Sequence, residues 1–378
     1  MPIYLDNAAT TKPAPAVIEA ITEALSRHYG NPSSLHRMGL EAQLMVDDAR
    51  KTIAGALGTE KDCILFTSGA TESSNLALRS AAAVYGRRKK HIITSAVEHA
   101  SVRSTIDALE QQGYTVTRVK PDENGVFQAK DFLDAVTPDT FLVSVMLAEN
   151  ETGRILPVQK LFRMLQKKHP DIIRHCDIVQ AFMKLPVSVS DLPADLLSMS
   201  AHKIHGPKGC GALYIRKGIR MQSIVTGGKQ EKGIRPGTEA SPLIAGFGAA
   251  VKLMQPTIAE RYAYVSELRA LLLEKLGELP YISLNSDPEG SPYIVNFSVA
   301  GIRSEIMLHF LEDEGIYVSS GSACSKGVQS GVLGAYNIPD AQADCALRVS
   351  FSEETTAAEI DALIAAIEKG QATLIHKK

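Results

Sequence analysis

CILFTSGATESSNLALRSAAAVYGRRKKHIITS, from Cys63 to Ser95, holds the pattern that decides the architecture. It opens on a short apolar run (CILFT), turns at Ser68-Gly69-Ala70, enters a helical pattern and closes on a second apolar run, HIITS. The reading is strand, helix, strand. The alternation continues through Tyr114 to Lys120 (YTVTRVK), Phe141 to Leu147 (FLVSVML), Ile172 to His175 (IIRH) and Leu196 to Ser200. Apolar strands separated by helices are βαβ units, and they predict an α/β fold with a mainly parallel sheet. Upstream, Pro15 to Tyr29 predicts a helix stopped by Gly30-Asn31-Pro32, and a second helix runs through Leu40 to Leu57.

Beyond the sheet the pattern changes. A long helical stretch from Leu243 to Leu276 gives way to Pro280. Strand patterns at Tyr293 to Val299, Ile316 to Ser319 and Leu347 to Phe351 then alternate with helices at Ser304 to Glu314 and Thr356 to Ile375. This predicts a smaller α+β domain that shares the long helix. The expected division is an N-terminal arm, 1–14, packing with the small domain, a large domain, 15–255, and a small domain, 256–378.

The 378 residues are 45% hydrophobic, enough for a full core. Forty Lys and Arg against 42 Asp and Glu leave a net charge of −2, which argues against nucleic acid as a direct ligand. The start, MPIYLDNAATTKPAP, lacks a basic and apolar leader, and no stretch is long and apolar enough to span a bilayer. The expectation is a cytoplasmic protein. Cys63, Cys176, Cys210, Cys324 and Cys345 are odd in number and irregularly spaced, so neither a disulfide framework nor a cysteine zinc site is expected.

The strongest chemical signal is SMSAHKIHGPKGCGALYIR, Ser198 to Arg216. A lone lysine is usually a solvated surface group, but Lys203 sits at a strand end beside small and hydroxyl residues. There an amine can form a Schiff base with an aldehyde, while Ser200 and His202 can hold a phosphate. In FTSGATESSN, the turn after a strand and at a helix start offers unpaired N–H groups and the Thr71 hydroxyl to an anion, although an ordinary capped turn would read the same way. Asp177, in HCDIVQ, closes an apolar strand, where a carboxylate is costly without a cation; it is either a helix cap or the partner of a protonated ring nitrogen. Gln180 lies three residues on. His99, in SAVEHAS, also follows a strand, where an imidazole can lie on an aromatic ring and exchange protons. Cys324 differs from the other cysteines: SSGSACSKGVQSG is small, polar and glycine-rich, the composition of a mobile loop.

Nine segments together, LDNAAT, GNPSSLH, TSGATE, the Glu98-His99 pair, HCDIVQ, SAHKIHGPKGCG, GGKQEKGIRPGTE, SSGSACS and LRVSF, resemble motifs of the cysteine desulfurases. These belong to the fold-type I, aminotransferase class V group of pyridoxal-phosphate enzymes. The resemblance implies a seven-stranded large domain, a smaller C-terminal domain and a homodimer. It implies that Lys203 holds pyridoxal 5'-phosphate as a Schiff base, that His99 stacks on the ring, and that Asp177 pairs with the ring nitrogen and Gln180 with the phenolic oxygen. Ala70, Thr71, Ser200 and His202 would hold the phosphate, and Thr238 would reach the phosphate of the neighbouring subunit. Asn150 would lie near cofactor and substrate, and Arg348 would take the substrate α-carboxylate with its planar fork.

The implied activity converts L-cysteine to L-alanine, with the sulfur left as a persulfide on Cys324 for delivery to an acceptor protein, an iron-sulfur scaffold or a tRNA thiolation enzyme. No metal is expected beyond a transient contact of Cys324 with an iron-sulfur cluster. Glu149 departs from the family, which commonly has a second asparagine there; Ser74 departs likewise. Two rivals remain open: another enzyme of the same cofactor class, such as a selenocysteine lyase or an aminotransferase, and a non-catalytic sulfur-relay scaffold. An aminotransferase has no use for an exposed Cys324, and a scaffold has little use for Lys203, Asp177, His99 and Arg348 together.

Overall fold

Strands whose side chains are apolar on both faces need helices on both faces, and the chain supplies them in sequence. The computed structural model describes residues 2–320 and 331–375. Its strands are β1 (Ile3–Tyr4), β2 (Ile64–Thr67), β3 (His91–Ser95), β4 (Thr115–Val119), β5 (Thr140–Ser144), β6 (Ile173–Asp177), β7 (Leu196–Ser200), β8 (Gly211–Ile215), β9 (Ile282–Leu284), β10 (Ile294–Val299), β11 (Ile316–Tyr317), β12 (Ser319–Ser320) and β13 (Ala346–Ser350). The helices are α1 (Pro15–Ser26), α2 (Arg37–Leu57), α3 (Ala70–Tyr85), α4 (Ala100–Gln111), α5 (Ala129–Asp134), α6 (Val158–Lys168), α7 (Ser241–Met254), α8 (Ile258–Gly277), α9 (Ser304–Asp313), α10 (Gly331–Ala335), α11 (Asp340–Ala343) and α12 (Ala357–Thr373).

The large sheet has seven strands in the order β2-β8-β7-β6-β5-β3-β4. Only β8 runs against its neighbours. The other six therefore present their carboxyl ends along one edge. Neighbouring side chains point to opposite faces: Ile93, Val143 and Leu197 join one core with Ile53, Leu57, Phe162 and Phe247, while Ile92, Leu142 and Leu196 join another with Leu76, Val102 and Ile106. The sheet is thus sandwiched between α2, α6 and α7 on one side and α3 and α4 on the other. β3 pairs with β4 on one side and β5 on the other, so the winding direction reverses between β3 and β5. Ligands of open α/β sheets bind at such a reversal, outside the carboxyl ends.

A second core gathers α8, α9, α12 and the sheet β12-β13-β10-β9. Leu5 and Ala8 of the amino-terminal segment are buried in it, and β1 pairs in parallel with β11. The same segment touches the first core's territory, where the Thr11 amide donates to the His202 carbonyl at 2.9 Å.

Three expectations change. The long helix is divided by a tighter turn at Gln255–Thr257, where Pro256 has no amide hydrogen to give the helical ladder. The strand read as Ile172 to His175 runs on to Asp177, which puts that carboxylate inside the sheet edge. The strand read as Ile316 to Ser319 splits at Val318: Ile316–Tyr317 pairs with β1 and Ser319–Ser320 with β13. Among the described residues, no helix is long and apolar enough to cross a membrane.

Candidate active site

The loops that leave the carboxyl ends of β2, β3, β5, β6 and β7 carry the sequence-predicted residues to one place. At the β2 end, α3 begins at Ala70, and the amides of its first turn have no partners within the helix. Glycine is required opposite this turn. A Cβ on Gly211 would stand 2.6 Å from Gly69 Cα and 2.7 Å from the Met199 carbonyl oxygen. Gly211 pairs with both Thr67 and Ser200, so Ser200 and the Ala70-Thr71 turn flank one strand. Thr71 is exposed and Ser200 buried.

Lys203 lies in a short 3-10 turn after β7 and is half-buried. Its Nζ donates to the carbonyls of Ala8 at 2.5 Å and Ala9 at 2.6 Å. His202 Nδ1 faces Thr10 Oγ1 at 3.2 Å; burial first, and then the charges of Lys203, Lys208 and Lys184, push its pKa down to about 4. LDNAAT is therefore a wall of the site, a contact between residues about 195 positions apart.

His99 caps α4, its Nδ1 accepting from the Ser101 amide at 3.2 Å and lying 2.8 Å from Ser101 Oγ. The ring is open to solvent, but the crowding of protein atoms around it, and then the charges of Lys203 and Arg103, hold its pKa below that of free imidazole. Its next-door Glu98 is 2% exposed: Oε1 accepts from Ser95 Oγ at 2.5 Å and from the Met146 amide at 3.0 Å, while Oε2 has no partner among the described residues. Burial pushes Glu98 up to about 8, with the nearby Asp177 adding to it.

Asp177, 5% exposed, accepts from the Val179 amide at 2.9 Å. Burial raises its pKa to about 6 against the opposing pull of that amide and of Lys203. Gln180 is buried; its Nε2 donates to the Ala8 carbonyl at 3.0 Å and its Oε1 accepts from Lys184 Nζ at 3.2 Å. Arg348, on β13, reaches across from the second core. Nη1 donates to the Asn150 carbonyl at 3.0 Å, and Nη2 to Asp6 Oδ1 at 2.8 Å and Ser319 Oγ at 3.0 Å. Its Nε is buried with no partner among the described residues.

Glu149, the departure noted above, has a local task. Its carboxylate accepts from the Glu151 amide at 2.7 Å, the Thr152 amide at 2.6 Å and the Thr152 hydroxyl at 2.8 Å, closing the turn that carries Asn150.

Thr238 stays apart: it is exposed, on the segment after the 3-10 turn Gln230–Gly233. That segment is tied back by Arg235 Nε to Glu72 Oε1 at 2.9 Å and by Glu231, which takes both Arg50 Nη atoms at 2.9 and 2.6 Å. Cys324 lies outside the described residues. The other four cysteines are buried and form no disulfide with one another. Among the described residues, no three His, Cys, Asp or Glu side chains are grouped to hold a metal ion. Sequence reasoning passed over Lys184 and Asp6. Nothing in their types marks them: Asp6 meets Arg348 from 342 positions away, and Lys184 pairs with Gln180 only four positions back but is buried by packing that its own segment does not announce.

The group implied by the motifs, pyridoxal phosphate, has the features its chemistry needs here: an amine on Lys203, an under-partnered buried carboxylate on Asp177, and a helix N-terminus beside Ser200 for a phosphate.

The aminotransferase class-V family model matches residues 3–363. A NifS/IcsS protein homolog of Lactobacillus delbrueckii subsp. bulgaricus is 40% identical over 374 residues, covering 97% of this chain and 96% of its own. The cysteine desulfurase IscS of Clostridium botulinum is 38% identical over 373 residues, covering 97% and 94%. A solved NifS-like protein superimposes with a TM-score of 0.94 at 37% identity, covering 99% of this chain and all of that one. Motifs, fold and relatives agree from end to end, and the chain belongs to the aminotransferase class-V family, in its cysteine desulfurase group.

Proposed function

We propose that this protein uses pyridoxal 5'-phosphate, held at Lys203, to take the sulfur from L-cysteine and leave it as a persulfide on Cys324. The observation that carries the reading is the convergence of Lys203, Asp177, His99 and Gln180 at the carboxyl ends of three strands, β3, β6 and β7, with Arg348 facing them from the other core. When bound, the cofactor supplies an electron sink that makes the substrate α-proton acidic and weakens the bond from Cβ to sulfur.

The chain's own residues do the rest. Asp177 offers the ring nitrogen a counter-charge whose burial strengthens the pair. Ala70, Thr71, Ser200 and His202 receive the phosphate, and a neutral His202 does so as a hydrogen-bond partner. Arg348 has a spare buried N–H at Nε for the α-carboxylate, and Asn150 borders the same pocket. Lys203 Nζ and His99 are the groups that move the α-proton; the depressed pKa of His99 favours the neutral imidazole, and with Nδ1 accepting from the Ser101 amide its Nε2 carries the ring hydrogen.

In net terms, L-cysteine and the Cys324 thiol give L-alanine and the Cys324 persulfide. The Cβ–S bond breaks, an S–S bond forms, Cβ takes a proton and is reduced, and the transferred sulfur is oxidised. The persulfide is then passed to an acceptor protein, an iron-sulfur scaffold or a tRNA thiolation enzyme, with Cys324 a transient iron-sulfur contact at most.

A homodimer completes the reading. Leu35, Leu40 and Leu44 stand 104%, 56% and 58% exposed, and Tyr29 and Met38 in the same stretch are exposed too, apolar surface that a partner subunit would cover. In such a dimer the exposed Thr238 would be the residue offered to the other subunit's phosphate. Reduced, buried cysteines suit the cytoplasm.

The test is direct. Purified protein with pyridoxal phosphate is incubated with L-cysteine, alanine is counted, and the Cys324 peptide is weighed. One alanine per added sulfur on that peptide is expected; alanine with no mass gain there would remove Cys324 from the reaction, and no alanine would remove the activity.

A further inference from the structure

Gln180 has an amide that could face either way, and its two neighbours decide. The Ala8 carbonyl can only accept, at 3.0 Å from Nε2, and Lys184 Nζ donates to Oε1 at 3.2 Å. Lys203 donates to the same Ala8 carbonyl. A chain of hydrogen bonds thus runs from Lys184 through Gln180 and Ala8 to Lys203.

Lys184 does not reach this position cheaply. It is 4% exposed, an uncommon place for an amine, and its Nζ lies 5.6 Å from the centre of the Tyr293 ring. The residue before it, Met183, is left-handed at φ 59°, a strained conformation for a side chain of that size, and the Met183 carbonyl is held by Arg261 Nη2 at 3.1 Å. A strained, clamped turn that drives a lysine inward is the mark of a functional constraint.

We propose that Lys184 is a positioning residue: its Nζ holds Gln180 Oε1 so that the Gln180 amide N–H group is presented to Ala8 and to the phenolic oxygen of the cofactor at Lys203. The inference rests on the reading of Gln180 given under Proposed function. Burial, and then the charge of Lys203, bring Lys184 down to about 7, with Glu353 opposing and Arg348 and Arg261 adding to the fall. A donor at Oε1 is what the role needs, and both the charged and the neutral amine supply one.

The test follows the absorbance of the lysine-bound cofactor against pH in Lys184→Met, Gln180→Leu and the double variant. Donation to the phenolic oxygen spreads its negative charge and eases proton loss from the lysine-bound nitrogen. Losing it raises the midpoint, by roughly one pH unit. Both single variants are expected to shift alike, and the double no further. A merely structural lysine would change thermal stability or cofactor content and leave the midpoint alone. If Gln180→Leu shifts the midpoint and Lys184→Met does not, the Lys184 role fails and the Gln180 reading stands. If the two shifts add in full, Lys184 acts by charge alone and the positioning role fails. If neither shifts, the Gln180 reading fails and this inference with it. Should Lys184→Met not fold, the shorter Lys184→Gln is read by the same criteria.

Discussion

Two buried aspartates lie at opposite edges of one sheet. Asp195, 1% exposed at the amino edge of β7, takes Arg174 through its amide at 2.8 Å, Nε at 2.9 Å and Nη2 at 2.9 Å, and Arg216 Nε at 2.6 Å. Asp177, at the carboxyl edge of β6, has one amide and a neighbouring lysine. The first carboxylate is saturated by its own protein; the second keeps capacity for something else. A buried charge that is fully paired belongs to the architecture, and one left short of partners in a cleft marks chemistry.

That contrast can be broken in four ways. The largest effect is expected from Lys203→Ala, which removes the amine at the centre of the reactive edge: alanine formation should fall by ~10³-fold or more, and the absorbance of the lysine-bound cofactor should vanish. An unchanged spectrum would refute the assignment. Asp195→Leu strands Arg174, which is 3% exposed, and should cost about 3–5 kcal/mol in denaturant unfolding, with turnover per folded molecule preserved. Asp177→Asn should do the opposite, changing stability at neutral pH by less than about 1 kcal/mol while lowering kcat by about 10²-fold. Equal losses of stability in the two aspartate variants would erase the distinction.

The smallest effect is a slope. Glu98 keeps its proton up to about 8 in the folded chain against 4.5 when unfolded, so between those values folding binds a proton and stability falls as pH rises. Glu98→Gln cannot ionise. Relative to the parent it should gain stability from about pH 4.5 to about pH 8, by up to about 1.4 kcal/mol per pH unit, and level off above. Thermal unfolding of both proteins across that range measures it, and parallel curves would mean that Glu98 is not protonated in the folded state.

Much of the candidate site was legible beforehand because its residues follow strand ends in short motifs: Ala70 and Thr71 after β2, His99 after β3, Asp177 and Gln180 on β6 and after it, Ser200, His202 and Lys203 on β7 and after it. Local pattern places such residues at the carboxyl edge once the strands are known to be parallel. Lys184 was not legible, since a lysine in KLPVSV looks solvated and only the left-handed Met183 turns it inward. The role of Glu149 was equally hidden, because a capped turn is defined by geometry three residues on.

The sequence by itself determined the alternation of strand and helix, the second domain's change of pattern and the types of residue available for chemistry, because side-chain periodicity and turn residues act over a few positions. Only the tertiary structure decided that the amino-terminal carbonyls of Ala8 and Ala9 face Lys203, that Arg348 crosses from the second core to Asn150, and that Asp177 is left short of partners where Asp195 is not. Those are contacts between residues far apart in the chain, and burial and hydrogen bonding fix them once the sheets have packed.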